Sequence, residues 1–116
     1  MAKMIVLVVD DPAKTGDVLD AWARSGIKGV TILDSSGMGR EVFRGVDLPL
    51  FPSIRSVLRS SEEHHRTLIA VVYDDFDVKQ LVEVTQAITG DLDDPNTGIL
   101  FVVPVTEAYG LDRREG

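Results

Sequence analysis

One pattern occurs twice in this chain, and it narrows the possible folds more than any other feature. "MIVLVV" (4–9) runs into Asp10 and Asp11, and "LIAVVY" (68–73) runs into Asp74 and Asp75. Each run is continuous, apolar and rich in β-branched residues, which suits a strand covered on both faces or lying at the centre of a sheet. Each is followed by one helical segment and a further apolar run. After the first, Val18, Leu19, Trp22 and Ala23 recur at helical spacing within 15–26, with Thr15 as the expected N-cap and Gly26 as the expected stop. After the second, Val78, Leu81, Val82 and Ile88 do the same, with Asp77 and Gln80 spaced as a capping box and Gly90 at the end. "GVTIL" (29–33) and "ILFVV" (99–103) supply the strands that follow. Two βαβ units of this size predict β-α-β-β-α-β: an α+β, ferredoxin-like fold with an antiparallel sheet and both helices on one face. The strands are apolar throughout, so the other face of the sheet is expected to be apolar too. An uncovered apolar face calls for a partner surface, and a homo-oligomer is expected.

At 116 residues the chain is sized for a single domain, 1–116, with one core. Its 44 % apolar and 27 % charged residues are ordinary for a globular protein. No apolar run approaches the ~18 residues of a membrane span. The start, "MAKMIVLVVDD", is too short for a signal peptide and lacks a small-residue cleavage site, so a cytoplasmic location is expected. Cysteine is absent, which excludes disulfides, thiolate metal ligands and a thiol nucleophile. The net charge of −7 argues against general nucleic-acid binding, because phosphates would be repelled. Five of the eight arginines nevertheless fall within 35–66, where the local balance is slightly positive.

That stretch lies in the long connection between the second and third strands, expected as a loop over 34–67. Loops beyond ~12–15 residues tend to be functional or disordered. Pro49 and Pro52 argue against a long hairpin of paired strands, while Ile54, Val57 and Leu58 fall at helical spacing with Pro52 suited to a first turn. At its entry, "SSGMGR" (35–40) is open to two readings. It is a plain glycine-rich turn, or it is an anion cradle in which Gly37 and Gly39 let a ligand approach the backbone and Arg40 grips a phosphate or carboxylate.

Two resemblances bear on function. "IVLVVDDP" looks like the start of a response-regulator receiver domain. That chemistry also needs a lysine after a late strand, and the last lysine here is Lys79, inside the second helix. The acids at the strand ends are better read as solvated groups that help to start helices. The second resemblance covers nearly the whole chain. "ARSGIKGVTILDSSGMGR", "EVFRG" and "TGILFVVPVTEAYGL" resemble, in order, the helix-to-loop entry, the T-loop and the fourth strand with its following element in PII-type nitrogen regulatory proteins. The resemblance implies a homotrimer whose sheets face one another, with adenine nucleotides bound in clefts between subunits and a T-loop that reports to partner proteins. It implies ligand contacts at Gly37, Gly39, Arg40, Thr97 and Gly98, and partner contacts at Phe43, Arg44, Leu50, Phe51, Arg55 and Arg59 within an effector loop over 41–66.

The chain departs from that family's pattern at the phosphate site. Asp91, Asp93 and Asp94 occupy a loop that is glycine-rich in the family, Ile99 stands where a lysine would fall, and Gly110 and Asp112 stand where arginines would. Residues 35–66 hold no tyrosine for uridylylation. The alternative is therefore a trimeric interaction scaffold that binds no nucleotide and docks partners through 46–62. A third candidate, the metal-handling CutA family, shares the trimeric fold, but this chain offers only the His64–His65 pair and no cysteine. No resident cofactor, metal site or catalytic constellation is expected.

Overall fold

The computed structural model describes residues 2–38 and 62–111. In chain order the elements are β1 (Ala2–Val9), a 3-10 turn (Pro12–Lys14), α1 (Thr15–Arg24), β2 (Thr31–Met38), β3 (Glu62–Tyr73), α2 (Val78–Thr89) and β4 (Gly98–Val105). The strands form one sheet in the order β2-β3-β1-β4, and every neighbouring pair is antiparallel. This is the ferredoxin-like β-α-β-β-α-β arrangement expected from the doubled pattern.

Strand alternation separates the two faces. Ile5, Leu7 and Val9 of β1 pair with Ala70, Leu68 and Arg66 of β3, and the apolar members of that set are buried with Val18 and Trp22 of α1 and Leu81 of α2. Trp22 is 0 % exposed, and its Nε1 donates to Thr85 Oγ1 at 2.9 Å, tying α1 to α2 inside the core. The opposite face carries Met4, Val6 and Val8 beside Val103, Phe101 and Ile99 of β4. Ile99 is 57 % and Phe101 43 % exposed, and Leu33 of β2 is exposed as well, so this second face is apolar and open in the single chain.

The helix boundaries follow local chemistry. Asp77 Oδ1 accepts from Gln80 N at 3.0 Å, and Gly90, at φ 89°, ends α2, both as expected. Thr15 does not act as the cap of α1. Pro12, with its fixed φ, opens a 3-10 turn whose entry is capped by Asp11, and Asp11 Oδ1 accepts from Ala13 N at 3.0 Å. Thr15 thus falls inside the first helical turn, and its buried hydroxyl finds no partner among the described residues.

The larger correction concerns the connection expected over 34–67. Residues 34–38 belong to β2 and residues 62–67 to β3, leaving 39–61 between the strands. The register runs from Thr31↔Ile69 to Met38↔Glu62. Polar side chains hold this pair together where apolar ones would elsewhere: Ser35 Oγ lies 2.9 Å from Thr67 Oγ1, and Arg66 Nη1 lies 2.8 Å from Asp34 Oδ1 on the other face. The backbone ladder needs no apolar signature, which is why "DSSG" and "EEHHR" read as loop. Among the described residues, no helix is long and apolar enough to cross a membrane.

Candidate functional site

The turn from α2 to β4 is built by its own acids. Asp91 Oδ1 accepts from Asp93 N at 2.9 Å, Asp91 O accepts from Asp94 N at 2.9 Å, and Leu92 N donates to Gln86 Oε1 at 2.8 Å. Asn96 takes the left-handed conformation at φ 61°, which its short polar side chain tolerates. Thr97 then leads into Gly98 at φ 137°. A Cβ on Gly98 would sit 2.3 Å from the carbonyl oxygen of Val8, so β4 can begin against β1 only with glycine here.

Across from this turn, the end of β1 delivers Asp10 and the body of β3 delivers His65. His65 Nε2 lies 3.4 Å from Asp10 Oδ1, with side chains 15 % and 23 % exposed. Ser35 Oγ donates to His65 O at 3.3 Å from the neighbouring strand. Together these groups border an open cleft of about 490 Å3 whose lining includes Val8, Asp10, His65, Asp93, Asp94, Asn96, Gly98 and Ile99. The acids dominate it, and Ile99 adds an apolar wall that is continuous with the open face of the sheet. A smaller hollow of about 120 Å3 at the opposite end, beside Lys28, Tyr73, Phe76 and Leu111, is too small for a nucleotide. Among the described residues, no group of three or more His, Cys, Asp or Glu side chains could hold a metal ion.

The expected ligand contacts divide into three sets. Gly98 and Thr97 sit at the cleft, Gly98 in its lining and Thr97 beside it, where Thr97 O accepts from Asp10 N at 3.4 Å. Gly37 is in β2, opposite Glu63. Gly39 and Arg40 lie outside the described residues, as do Phe43, Arg44, Leu50, Phe51, Arg55 and Arg59. Gly37 and Gly98 share one end of the sheet but occupy its opposite edge strands, with β3 and β1 between them. Three strand spacings amount to about 14 Å, so one chain does not bring them together on one small ligand. Sequence reasoning missed Asp10 and His65 as cleft residues. It weighed Asp10 as a strand-end acid and His65 as half of a histidine pair. Only the β1–β3 register, with Val9 opposite Arg66, makes them neighbours.

The model of the nitrogen regulatory protein P-II family matches residues 2–115. The chain belongs to the P-II family. Among its P-II relatives is the "nitrogen fixation nifHD region glnB-like protein 1" of Methanococcus maripaludis, 32 % identical over 114 residues that cover 97 % of this chain and 95 % of that protein. Among solved structures, GlnK of B. subtilis superposes with a TM-score of 0.62 at 18 % identity, over 90 % of this chain and 85 % of that one. A GlnK–ATP complex from the same organism gives 0.60 at 18 % identity, over 88 % and 79 %. At that identity the likeness speaks to the fold. It agrees with the P-II membership and with the strand order seen here.

Proposed function

We propose that residues 1–116 act as one P-II-type regulatory unit. The unit forms a homotrimer, binds a small anion in clefts between subunits and controls a partner protein through the segment between β2 and β3. It acts in the cytoplasm and catalyses no reaction. The ligand proposed is an adenine nucleotide, touching Gly37, Gly39, Arg40, Thr97 and Gly98. The observation that carries this reading is the separation of Gly37 and Gly98 on opposite edges of one sheet. A ligand that reaches both is either extended or held partly by a second copy, and the open apolar face with Ile99, Phe101 and Leu33 supports a second copy as the neighbour. The ATP in the GlnK complex, a protein of the same fold, supports a nucleotide as the ligand.

The effector segment is narrowed from 41–66 to residues 41–61, because 62–66 belong to β3. The second reading, a scaffold without a nucleotide, is favoured by the acidic lining of the cleft and by Ile99 in the place of a lysine.

Thermal unfolding against ATP, ADP, AMP, cyclic AMP and 2-oxoglutarate, with and without Mg2+, separates the two. A ligand at ~100 times its Kd adds about 2.7 kcal/mol. A midpoint shift with at least one nucleotide, lost in Arg40→Ala, is the expected result. No shift with any nucleotide would transfer the function to the scaffold reading.

A further inference from the structure

We infer that residues 106–111, which follow β4, form a strap fastened by one side chain, Leu111, over the far end of the sheet, and that its release uncovers the end of the open apolar face. This holds whether or not the cleft takes a nucleotide. Thr106 to Gly110 are exposed, Tyr109 at 89 %, and Leu111 is half-buried. Among the described residues, no backbone hydrogen bond links this stretch to the rest of the domain. Its side-chain hydrogen bond, from Tyr109 OH to Glu107 Oε2 at 3.5 Å, lies within the strap itself. The contact that remains is the Leu111 side chain.

The backbone aims that side chain. Gly110 has φ 91°, a left-handed conformation that glycine adopts without the cost other residues bear. The chain turns there, from the exposed Tyr109 to Leu111 against the sheet. Leu111 borders two hollows. One, of about 120 Å3, is lined by Gly26, Gly29, Tyr73 and Phe76 among others. The other, of about 250 Å3, lies between Val71, Val105 and the strap residues Glu107 to Gly110. Val71, like Leu111, lines both. Both valines belong to the open face: Val105 continues the row of Ile99, Phe101 and Val103 along β4, and Val71 pairs with Met4. Ile99, Phe101 and Val103 are exposed, whereas Val105, beside the strap, is half-buried. The strap is therefore a cover on this end of the face. A segment held by one apolar contact and no backbone hydrogen bonds lies at the low-stability end of a domain and opens without the core. When Leu111 leaves, the hollows lose the wall they share, and Val71 and Val105 join the open apolar surface.

The test is backbone NMR relaxation of the full chain, for the wild type, Leu111→Ser and the milder Leu111→Ala. Wild-type order parameters over 106–111 are expected at about 0.85, the value of rigid backbone. In both variants they are expected to fall below about 0.6 over 106–111, while β1, α1 and α2 keep theirs. Low values over 106–111 in the wild type overturn the inference, because the strap is then not fastened. Rigid values there in both variants overturn it too, because another contact then holds the strap. Loss of order throughout the sheet in both variants also overturns it, since Leu111 would then belong to the core and not act as a latch.

Discussion

Thr85→Val tests whether the contact between the two helices is worth what its geometry implies. Thr85 and Trp22 are both 0 % exposed, and the indole N–H donates to the threonine hydroxyl at 2.9 Å. The hydroxyl in turn donates to Leu81 O at 2.7 Å. Valine has nearly the same shape, so the substitution opens no large cavity and removes only the hydroxyl. It leaves the indole N–H buried without an acceptor, at a cost of about 1–3 kcal/mol. For a domain of this size that is a fall in midpoint on the order of 4 °C for each kcal/mol. Trp22→Phe removes the donor and part of a core ring, and costs more through the space it leaves. In the Trp22→Phe background, Thr85→Val no longer strands a donor, and its cost is expected to drop to about 0.5 kcal/mol or less. The double-mutant cycle should therefore return a coupling of roughly 1–2 kcal/mol. Urea unfolding at one fixed protein concentration measures all four proteins, since a midpoint that reflects association would otherwise shift with concentration. If Thr85→Val costs the same in both backgrounds, the hydrogen bond is not what joins the helices.

Three further outcomes are expected. Gly98→Ala places a methyl group 2.3 Å from a backbone oxygen at φ 137°, so it should destabilise by at least ~2 kcal/mol in thermal unfolding and loosen amide-exchange protection where β4 meets Val8 and Val9. Phe101→Glu puts a charge on the open apolar face; if the chain forms the proposed homotrimer, light scattering should show monomers for this variant, with helix content by circular dichroism retained. Asp93→Asn with Asp94→Asn removes two negative charges from the cleft without touching the Asp91 turn, and ADP affinity measured by calorimetry at low salt should rise several-fold, with the gain shrinking at high salt.

How much of this was legible in the sequence depends on what kind of force holds each part. β1, α1, α2 and β4 were readable because apolar side chains at a period bury against one core. Trp22 and Leu81 announce their helices, and "MIVLVV" its strand. The far ends of β2 and β3 were not, because Ser35, His65 and Arg66 keep strand geometry through backbone pairing and polar cross-strand contacts, and these leave no periodic trace. The cap of the first helical segment moved from Thr15 to Asp11 because Pro12 starts a turn one step earlier than the apolar pattern does. The cleft was half legible. Gly98 stood out as a glycine before a strand, and the sequence also placed acids at 91–94. What brings Asp10 beside His65 is a pairing register between strands more than fifty residues apart in the chain, and that register is fixed by the whole sheet.

β3 is twelve residues long and β1 only eight, so the pairing from Ser35↔His65 to Met38↔Glu62 extends past the point where β1 ends. There, among the described residues, β3 is paired with β2 alone. Such a two-stranded ribbon is a cantilever: more strongly twisted than a wide sheet and clamped at its root. The clamp is made of the Ser35–Thr67 hydroxyl pair and the His65–Asp10 contact, and the second of these is also a wall of the cleft. A torque applied beyond Met38 and Glu62 is thus delivered to atoms that form one wall of the cleft, and under the nucleotide reading a ligand that stiffened that wall would resist the torque in equal measure.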